Sequence, residues 1–560
     1  MVLRSLFSTV AVLLVVGCGQ AAPTDMASPA QSAVEAASRS SASVSCEPKA
    51  RVLQVGRWKG RSGSYTSIQA AVNDAAPDDW ILIGPGDYRE AGAAIAGVLI
   101  TTPGIHIRGM DRNRVIVDGT HVVGGDATPC NPLDAAQVKV PGGRNGIEVL
   151  EVDGVTIENL TTCNFLADSG NNGNQIWWNG GDGSGVIGMG SFHGAYLTAS
   201  STFYSDAFSG SYGIFVSNSR GPGVIERSYA SNMSDSDFYV GACPDCDTVL
   251  RQVHAQNSAQ GFSGTNAGGH LVLEDSEWDL NRVGIAHTTL AADDQPSPQD
   301  GACPDHPGKS CTLIRRNYIH DNNNPDAPGL GLAGSVPTGT GLIISGGRDD
   351  TVRDNLVVHN GAWGVVVNDY PDTSAPAPAP WCQGGNPLFA PPPPFDQLLG
   401  PVIPCYFDAF GSEVTGNHLQ DNGFFGNATN GDLANATLPT ATGNCFHGNV
   451  APHHGPVTSA PVNIQDPSVL GTCGAAWGGD PAQVFPLFAE LLCASFGPGS
   501  GACFPGEPGY PQQTQVSLLP IPREKGMRDP CKGVPRNAWC DDEEGGDHHG
   551  DHHGDHHDDD

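Results

Sequence analysis

The chain has little positive charge and, beyond its first residues, no long apolar run. It carries 27 basic against 60 acidic residues in 560 positions, and 50 of those acids precede Asp541. A field of that sign repels phosphate backbones and anionic lipid, which argues against nucleic-acid binding. Long helices are also disfavoured, because 74 glycines and 44 prolines together exceed a fifth of the chain.

The one long apolar run, Leu6 to Val16, follows Arg4 and leads to Cys18, as in an export signal. It is short for a membrane span. The residues "VVGC" resemble the lipobox of bacterial lipoproteins, which implies a signal over residues 1–18, lipidation of Cys18 and attachment to the bacterial cell envelope. Cleavage by ordinary signal peptidase is the alternative. Residues 19–50, rich in Ala and Ser, then form a flexible tether.

Sixteen cysteines agree with export, since short-range disulfides form in oxidising compartments. Spacing along the chain suggests seven pairs and leaves Cys46 over: Cys130/Cys163, Cys243/Cys246, Cys303/Cys311, Cys382/Cys405, Cys445/Cys473, Cys493/Cys503 and Cys531/Cys540. Connectivity does not follow from sequence alone. The motif "CPDC" at 243–246 has redox and zinc interpretations, but a lone CxxC in an exported chain favours a structural disulfide.

The main pattern is a repeat in which short apolar runs end in polar residues and asparagine, such as "VTIENLTTCNF" and "TVRDNLVVHNGAWG". Asn232, Asn257 and Asn281 follow at intervals of 25 and 24 residues. A period of this length marks a supersecondary unit that buries its apolar side against its neighbours. The sequence therefore predicts a solenoid of β-strands.

The segments "YTSIQAAVNDAAPDDWILIGPGDYRE" and "GIHIRGMDRNRVIVDG" resemble the start of right-handed parallel β-helix proteins of the pectate-lyase-like superfamily. The resemblance implies an all-β right-handed parallel β-helix over residues 51–450, with an N-terminal capping helix carrying Ile68, Ala71, Val72 and Ala75. Such a cap is needed because an open coil exposes apolar interior and unpaired strands.

Asparagines also recur five residues apart, and stacked amides at the turns are the structural interpretation. The pairs are Asn317/Asn322, Asn355/Asn360, Asn417/Asn422 and Asn444/Asn449. Two irregular insertions, Asp293 to Cys311 and Asp372 to Cys405, are expected as excursions on one face. Residues 451–540 form a Cys/Pro/Gly-rich region, partly irregular, with a helix expected from Pro486 onward that caps the far end.

Seven coils align on an inward apolar residue, so the next residue in each is expected to face outward. Trp177, Phe215 and Tyr239 then form an aromatic stripe beside a polar row, which suits stacking against sugar rings. The inward set is Ile176, Ile214, Phe238, Phe262, Ile285, Leu342 and Val365, and the polar row is Asn179, Ser217, Gly241, Thr265, Thr288, Ser345 and Asn368. The alternative is that insertions cover the aromatics as a second small core.

Asp235 and Asp237 are expected to face outward like Tyr239 and are the acid–base candidates, with Arg282 two coils on as their charge partner. Glu274, Asp275 and Asp279 lie one coil later. The alternative is a set of solvated surface acids.

The tail, residues 541–560, repeats His-His pairs every four residues, each preceded by aspartate: His548, His549, His552, His553, His556 and His557. Such a composition forms no core and is expected to be disordered when free. Imidazole suits Zn, Ni, Cu or Co, so a divalent metal is expected here, with a merely solubilising tail as the alternative. No cofactor is required elsewhere.

The family resemblance carries no reaction with it, because the polygalacturonase series "NTD…DD…GHG…RIK", the "DPHD" of mannuronan epimerases and the pectate-lyase signature are missing. "CPDHPG" at 303–308 is only a near match. The chain resembles exported β-helix repeat proteins, whose activity is generally unassigned. We expect a surface protein that binds or processes polysaccharide, as a lyase or glycoside hydrolase if it is an enzyme. The alternative is a non-catalytic scaffold or adhesion module with a metal-binding tail.

Overall fold

Three long parallel sheets run the length of the protein in a computed structural model that describes residues 50–90, 95–120, 128–131, 143–167, 172–291, 311–373, 382–440, 442–452, 455–477 and 480–541. In each coil the chain visits the first, second and third sheet in turn and then returns one coil further along. The protein is a right-handed parallel β-helix, as predicted. Cys18, Cys46, Cys303 and the tail histidines lie outside the described residues.

The strands of the first sheet are Val52–Val55, Trp80–Ile83, His106–Gly109, Val155–Glu158, Phe192–Ala195, Gly223–Glu226, Thr248–Arg251, Leu271–Glu274, Thr312–Arg315, Thr351–Arg353, Glu413–Thr415 and Cys445–His447. Those of the second sheet are Gly86–Tyr88, Val115–Asp118, Thr161–Cys163, Thr198–Ser200, Tyr229–Ser231, His254–Gln256, Glu277–Asp279, Tyr318–His320, Leu356–Val358 and His418–Gln420. Those of the third sheet are Ala96–Ile100, Asn145–Leu150, Ile176–Asn179, Tyr212–Ser217, Ser236–Gly241, Gln260–Ser263, Val283–Thr288, Thr340–Ser345, Trp363–Asn368, Gly431–Ala436 and Ser459–Ala460. Sheet pairing thus reaches ten residues past the expected end at 450.

Shorter strands lie outside the three sheets: Arg57–Trp58 with Arg61–Ser62, Tyr204–Ser205 with Phe208–Ser209, and Cys243–Asp245 with Ala267–Gly269. Within the insertion 372–405, Asn386–Phe389 pairs with Ile403–Phe407, which also pairs with Tyr370–Asp372. The described helices are α1 (Ile68–Asp74), α2 (Gly331–Gly334), α3 (Phe395–Leu399), α4 (Pro467–Leu470) and α5 (Pro481–Phe496), with a 3-10 turn at Pro498–Ser500. None of them is both long and apolar enough to cross a bilayer.

Helix α1 caps the N-terminal end as predicted, but it ends at Asp74, because the backbone of Ala75 is extended. Its Ile68, Ala71 and Val72 are buried in the core, and Ser67 accepts a hydrogen bond from the Ala70 N–H at 3.2 Å. Helix α5 begins at Pro481 rather than Pro486, because the Asp480 side chain accepts from the Ala482 N–H and Pro481 stands in the first turn, where its missing N–H is not needed.

Two buried asparagine ladders follow the turns. In the first, the side-chain amides of Asn317, Asn355 and Asn417 each donate to the next asparagine at 2.8–3.0 Å, ending on Asn449. In the second, Asn281, Asn322 and Asn360 do the same at 3.0–3.2 Å, ending on Asn422. Asn449 therefore stacks on Asn417, so the expected pair Asn444/Asn449 is out of step with the other three pairs.

Six of the predicted disulfides are present: Cys130–Cys163, Cys243–Cys246, Cys382–Cys405, Cys445–Cys473, Cys493–Cys503 and Cys531–Cys540. The seventh has one member, Cys303, outside the described residues. The motif "CPDC" forms a buried disulfide. A chain stapled in this way is typical of an exported protein.

Residues 511–541, which we call the C-terminal strap, do not stay at the far end of the solenoid. They run back along its side toward the first coils, tied by side-chain amides to the backbone: Asn257 to Ser517, Asn232 to Leu519, and Asn159 to Met527, at 2.8 Å each. Trp539 is buried against Leu82 and Met110 in the first coils. The sequence grouped this segment with the far cap because it has no periodicity.

Candidate functional site

The outer face of the third sheet carries the expected aromatic stripe. Ile176, Ile214 and Phe238 pair in register and are buried inside, and Trp177, Phe215 and Tyr239 pair in the same way on the other side. Trp177 stacks on Phe215 with ring centroids 4.9 Å apart, and Tyr239 meets Phe215 edge-on at 4.6 Å. The predicted register is confirmed along this face.

Much of the stripe is shielded by its own rings. Phe215 and Tyr239 are only 8 % and 9 % exposed, and Tyr212 stacks on Phe215 at 4.3 Å. Trp177 stays half-buried and donates its indole N–H to Ser217 Oγ at 3.0 Å. The rings therefore form a cluster open at Trp177, rather than a row of exposed plates.

A cleft of about 440 Å³ begins at Tyr239 and Tyr212 and continues over the following coils. Its floor is the outer side of the third sheet, including Ser263, Ala286 and Ile343. Its walls are helix α5, the segment 332–337 and residues 370–373 of the insertion, so the insertion lies on this face as expected. Part of the cleft is covered. It is therefore intermediate between the open groove and the covered second core that the sequence left as alternatives.

Part of the polar row lies in this cleft, namely Thr265, Thr288, Ser345 and Asn368. Ser345 Oγ donates to Asn368 Oδ1 at 2.8 Å. Asn179 lies outside the cleft lining and donates to the buried Glu148 at 3.0 Å. Hydroxyl and amide groups therefore follow the cleft floor for several coils, next to the aromatic cluster.

Asp235 lies at the aromatic end of the cleft. Its Oδ2 accepts a hydrogen bond from the Tyr212 hydroxyl at 2.9 Å. Burial raises the pKa of Asp235 to about 6, although the hydrogen bonds from Tyr212 and Ser236 oppose the rise. A carboxyl group with this pKa exchanges a proton near neutral pH, as acid–base catalysis requires.

Asp237 does not face outward, which corrects the expectation. It is fully buried, and its Oδ1 accepts from Ser258 Oγ at 2.6 Å. Sheet pairing skips Asp237 and the aligned Gly213, where an added Cβ would lie 2.8 Å from Ala230 Cβ in the coil interior. Side chains do not alternate strictly between inside and outside at this corner of the coil. Counting back from Tyr239 therefore predicts the wrong direction for Asp237. Burial raises the pKa of Asp237 well above its usual range.

Arg282 aligns with Asp235 as expected, but its guanidinium is used elsewhere. It is 7 % exposed and donates to the carbonyls of Ala327 at 2.7 Å and Gly334 at 2.8 Å. These acceptors belong to the chain that leads into the cleft wall at 332–337. Arg282 is therefore a positioning residue for that wall and does not face the carboxylate.

Sequence reasoning missed Tyr212, Gln260 and the contribution of helix α5, of which Phe488 and Leu491 line the cleft. Tyr212 stands two residues before the inward Ile214, so simple alternation predicts it inside. Only the irregular corner at Gly213 turns it outward. The cleft lining includes two carboxylates, Asp235 and Asp372, and none of its described residues is Lys, Arg or His.

No protein-family model matches the chain, and no curated protein matches it in sequence. Solved structures resemble the chain at low identity. The A-module of mannuronan C-5 epimerase AlgE4 from Azotobacter vinelandii is 13 % identical, with 69 % of this chain and 90 % of that chain covered and a TM-score of 0.40. An alginate lyase from Paenibacillus sp. is 11 % identical, with 72 % and 97 % covered and a TM-score of 0.31. The lacto-N-biosidase of Eubacterium ramulus is 10 % identical, with 66 % and 64 % covered and a TM-score of 0.33.

Proposed function

We propose that the protein binds polysaccharide in the cleft beside the aromatic cluster. The supporting observation is the combination of Tyr239 and Tyr212 at one end with a row of hydroxyl and amide groups along the floor. The half-buried ring of Tyr212 can contact the apolar face of a sugar ring, and polar groups along the floor can orient the sugar hydroxyls. A space of about 440 Å³ suits a short stretch of chain rather than a monosaccharide alone.

The charge of the lining favours a neutral or N-acetylated glycan. A uronate entering the cleft would lose hydration and meet Asp235 and Asp372, with no cationic side chain among the described lining residues. Burying an unpaired carboxylate in this way is costly. Several structural neighbours have uronate polymers in their names, but the cleft chemistry, not the shared fold, supports this choice.

A catalytic role for Asp235 is the second candidate function. In its protonated form the carboxyl group can donate to a glycosidic oxygen, and Tyr212 holds it at 2.9 Å. Its pKa of about 6 makes the acid available under mildly acidic conditions. Asp237 and Arg282 are withdrawn from this role because both are buried in structural hydrogen bonds.

The binding proposal is tested with purified protein and a panel of neutral, N-acetylated and uronate polysaccharides in depletion assays. We expect retention by neutral or N-acetylated polymers only, and loss of retention in Tyr239→Ala. Phe424→Ala is the control for loss of an aromatic side chain outside the cleft. Equal weakening by both variants, or retention by uronate polymers alone, contradicts the proposal.

Catalysis is tested by chromatography of the products from any polymer that binds. Asp235→Asn keeps the size of the side chain and its hydrogen bond with Tyr212 but cannot transfer a proton. We expect binding to persist and product formation to fall by about 10²–10⁴-fold. Unchanged product formation in this variant removes Asp235 from the mechanism.

The disulfides support export, and we further propose that Cys18 anchors the mature chain to the envelope through lipid. Labelling of cells with a radioactive fatty acid tests the anchor. The wild type should incorporate label and Cys18→Ser should not, while label in both proteins contradicts the assignment.

A further inference from the structure

A second cluster of chemically active side chains lies on the outer face of the second sheet, away from the cleft. It comes from three neighbouring strands, His254–Gln256, Glu277–Asp279 and Tyr318–His320. In the strand register, Glu277 lies beside His254, and Asp279 lies between Gln256 and His320. Two imidazoles and two carboxylates are thereby brought together from residues up to 66 positions apart.

We propose that His254, Glu277, Asp279 and His320 bind a divalent cation of the zinc class. One ligand atom each from His254, Glu277 and Asp279 lies within 4.8 Å of the others. His254 Nε2 is 2.8 Å from Asp279 Oδ1, and His320 Nε2 is 3.2 Å from Glu277 Oε1. Ligands of tetrahedral zinc bound through N and O are about 3.3 Å apart, which is close to these two separations. His320 lies outside the group of three and joins the proposed site through its contact with Glu277.

The ligand atoms are held in place by an outer set of hydrogen bonds. Asp321 Oδ2 is 2.8 Å from His320 Nδ1, which leaves Nε2 directed at the cluster. Gln256 donates to Asp279 Oδ2 at 2.9 Å, so Oδ1 remains turned toward His254. Carboxylate-to-histidine contacts of this kind are the usual outer partners of metal-binding imidazoles.

The cluster is half-buried, with an accessible side. Asp279 is 6 % exposed, and His254 and Glu277 line a surface hollow with Tyr318 and Arg316. A metal ion held from the buried side thus has room for water or another ligand on the open side, as in zinc sites with three protein ligands, and the coordination can expand to five. The positive charge of Arg316 in this hollow is offset by Glu274 and Asp275, each 2.8 Å from its guanidinium.

Ordinary ion pairing is the competing explanation, and the protein contains a matched example. His447 Nε2 is 2.8 Å from Glu413 Oε1 on the first sheet, at nearly the same separation as His254 and Asp279. The two residues are half-exposed. Among the described residues, the other potential ligands grouped with His447 are Cys445 and Cys473, which are joined in a disulfide. His447→Ala is therefore the control for losing one histidine–carboxylate pair.

The test uses full-length protein in which the six tail histidines are replaced by serine, so that the tail does not contribute. Calorimetry with zinc chloride measures stoichiometry and affinity, and cobalt(II) absorption reports the coordination geometry. We expect one equivalent of zinc and the visible bands of four- or five-coordinate cobalt. His254→Ala and His320→Ala should each weaken binding at least about tenfold, Asp321→Asn about 10–100-fold, and His447→Ala not at all.

Absence of stoichiometric zinc binding in the tail-substituted protein overturns the proposal. So does affinity that is unchanged in both His254→Ala and His320→Ala, because the ion then binds elsewhere. Thermal unfolding of each variant in the presence of EDTA shows whether it is folded. Asp321→Asn, which leaves every proposed ligand in place, supplies the test if a ligand variant unfolds. The site stands independently of the proposed glycan cleft.

Discussion

The carboxyl group of Asp235 makes a prediction that needs no knowledge of the substrate. Burial raises its pKa from 3.8 to about 6 in the folded protein. A group whose pKa is raised on folding contributes its full stability below the unfolded pKa and loses it as the pH rises through the folded pKa. A shift of about 2 units at 1.36 kcal/mol each amounts to about 3 kcal/mol, lost between about pH 4 and pH 6.

Asp235→Asn isolates this effect, because asparagine does not titrate. Urea unfolding followed by tryptophan fluorescence at pH 4, 5, 6 and 7 gives the free energy of unfolding for both proteins. The wild-type value minus the variant value should fall by about 2.4 kcal/mol across this range, since every other group is common to both and part of the effect is already lost at pH 4.

Tyr212→Phe is the matched second variant. The hydrogen bond from Tyr212 lowers the pKa of Asp235, so its removal should move the same transition to higher pH. The reasoning is refuted if the free energy of unfolding of the wild type minus that of Asp235→Asn stays constant within about 0.5 kcal/mol from pH 4 to 7. A rise of this difference with pH refutes it as well. Either result also removes the reason for assigning Asp235 the role of a proton donor.

Three further predictions concern the solenoid, the cleft wall and the tail. Asn355→Ala removes hydrogen bonds to the Asn317 N–H and the Ile314 carbonyl, and should lower the free energy of unfolding by about 2–6 kcal/mol in urea titrations; a loss below about 1 kcal/mol contradicts the ladder's role. Arg282→Met should leave the coils folded by circular dichroism but weaken glycan retention, because the wall at 332–337 loses its anchor; unchanged retention shows that the wall is held by other contacts. Removal of residues 547–560 should reduce the zinc or nickel bound in calorimetry, and equal binding with and without them ends the idea of metal capture by the tail.

The third sheet illustrates what local pattern predicts well. Each inward residue from Ile176 to Val365 pairs with its predicted neighbour, because a strand fixes side-chain direction over a few residues and the core rejects a one-residue slip. Helix α1 and the described disulfides were also predictable, since both involve residues close together in the chain. Asp237 was not, because the corner of the coil breaks the alternation on which its facing was counted.

The sequence alone determined that the chain winds into stacked parallel coils joined by short-range disulfides, since the apolar repeat and the cysteine pairs are local patterns along the chain. The tertiary structure decided what meets across the coils: the strap from 511 to 541 that returns to the first coils, Arg282 on the cleft wall, and the convergence of His254, Asp279 and His320. Those contacts depend on the lengths of turns and insertions, which shift one coil against the next without leaving a periodic trace in the sequence.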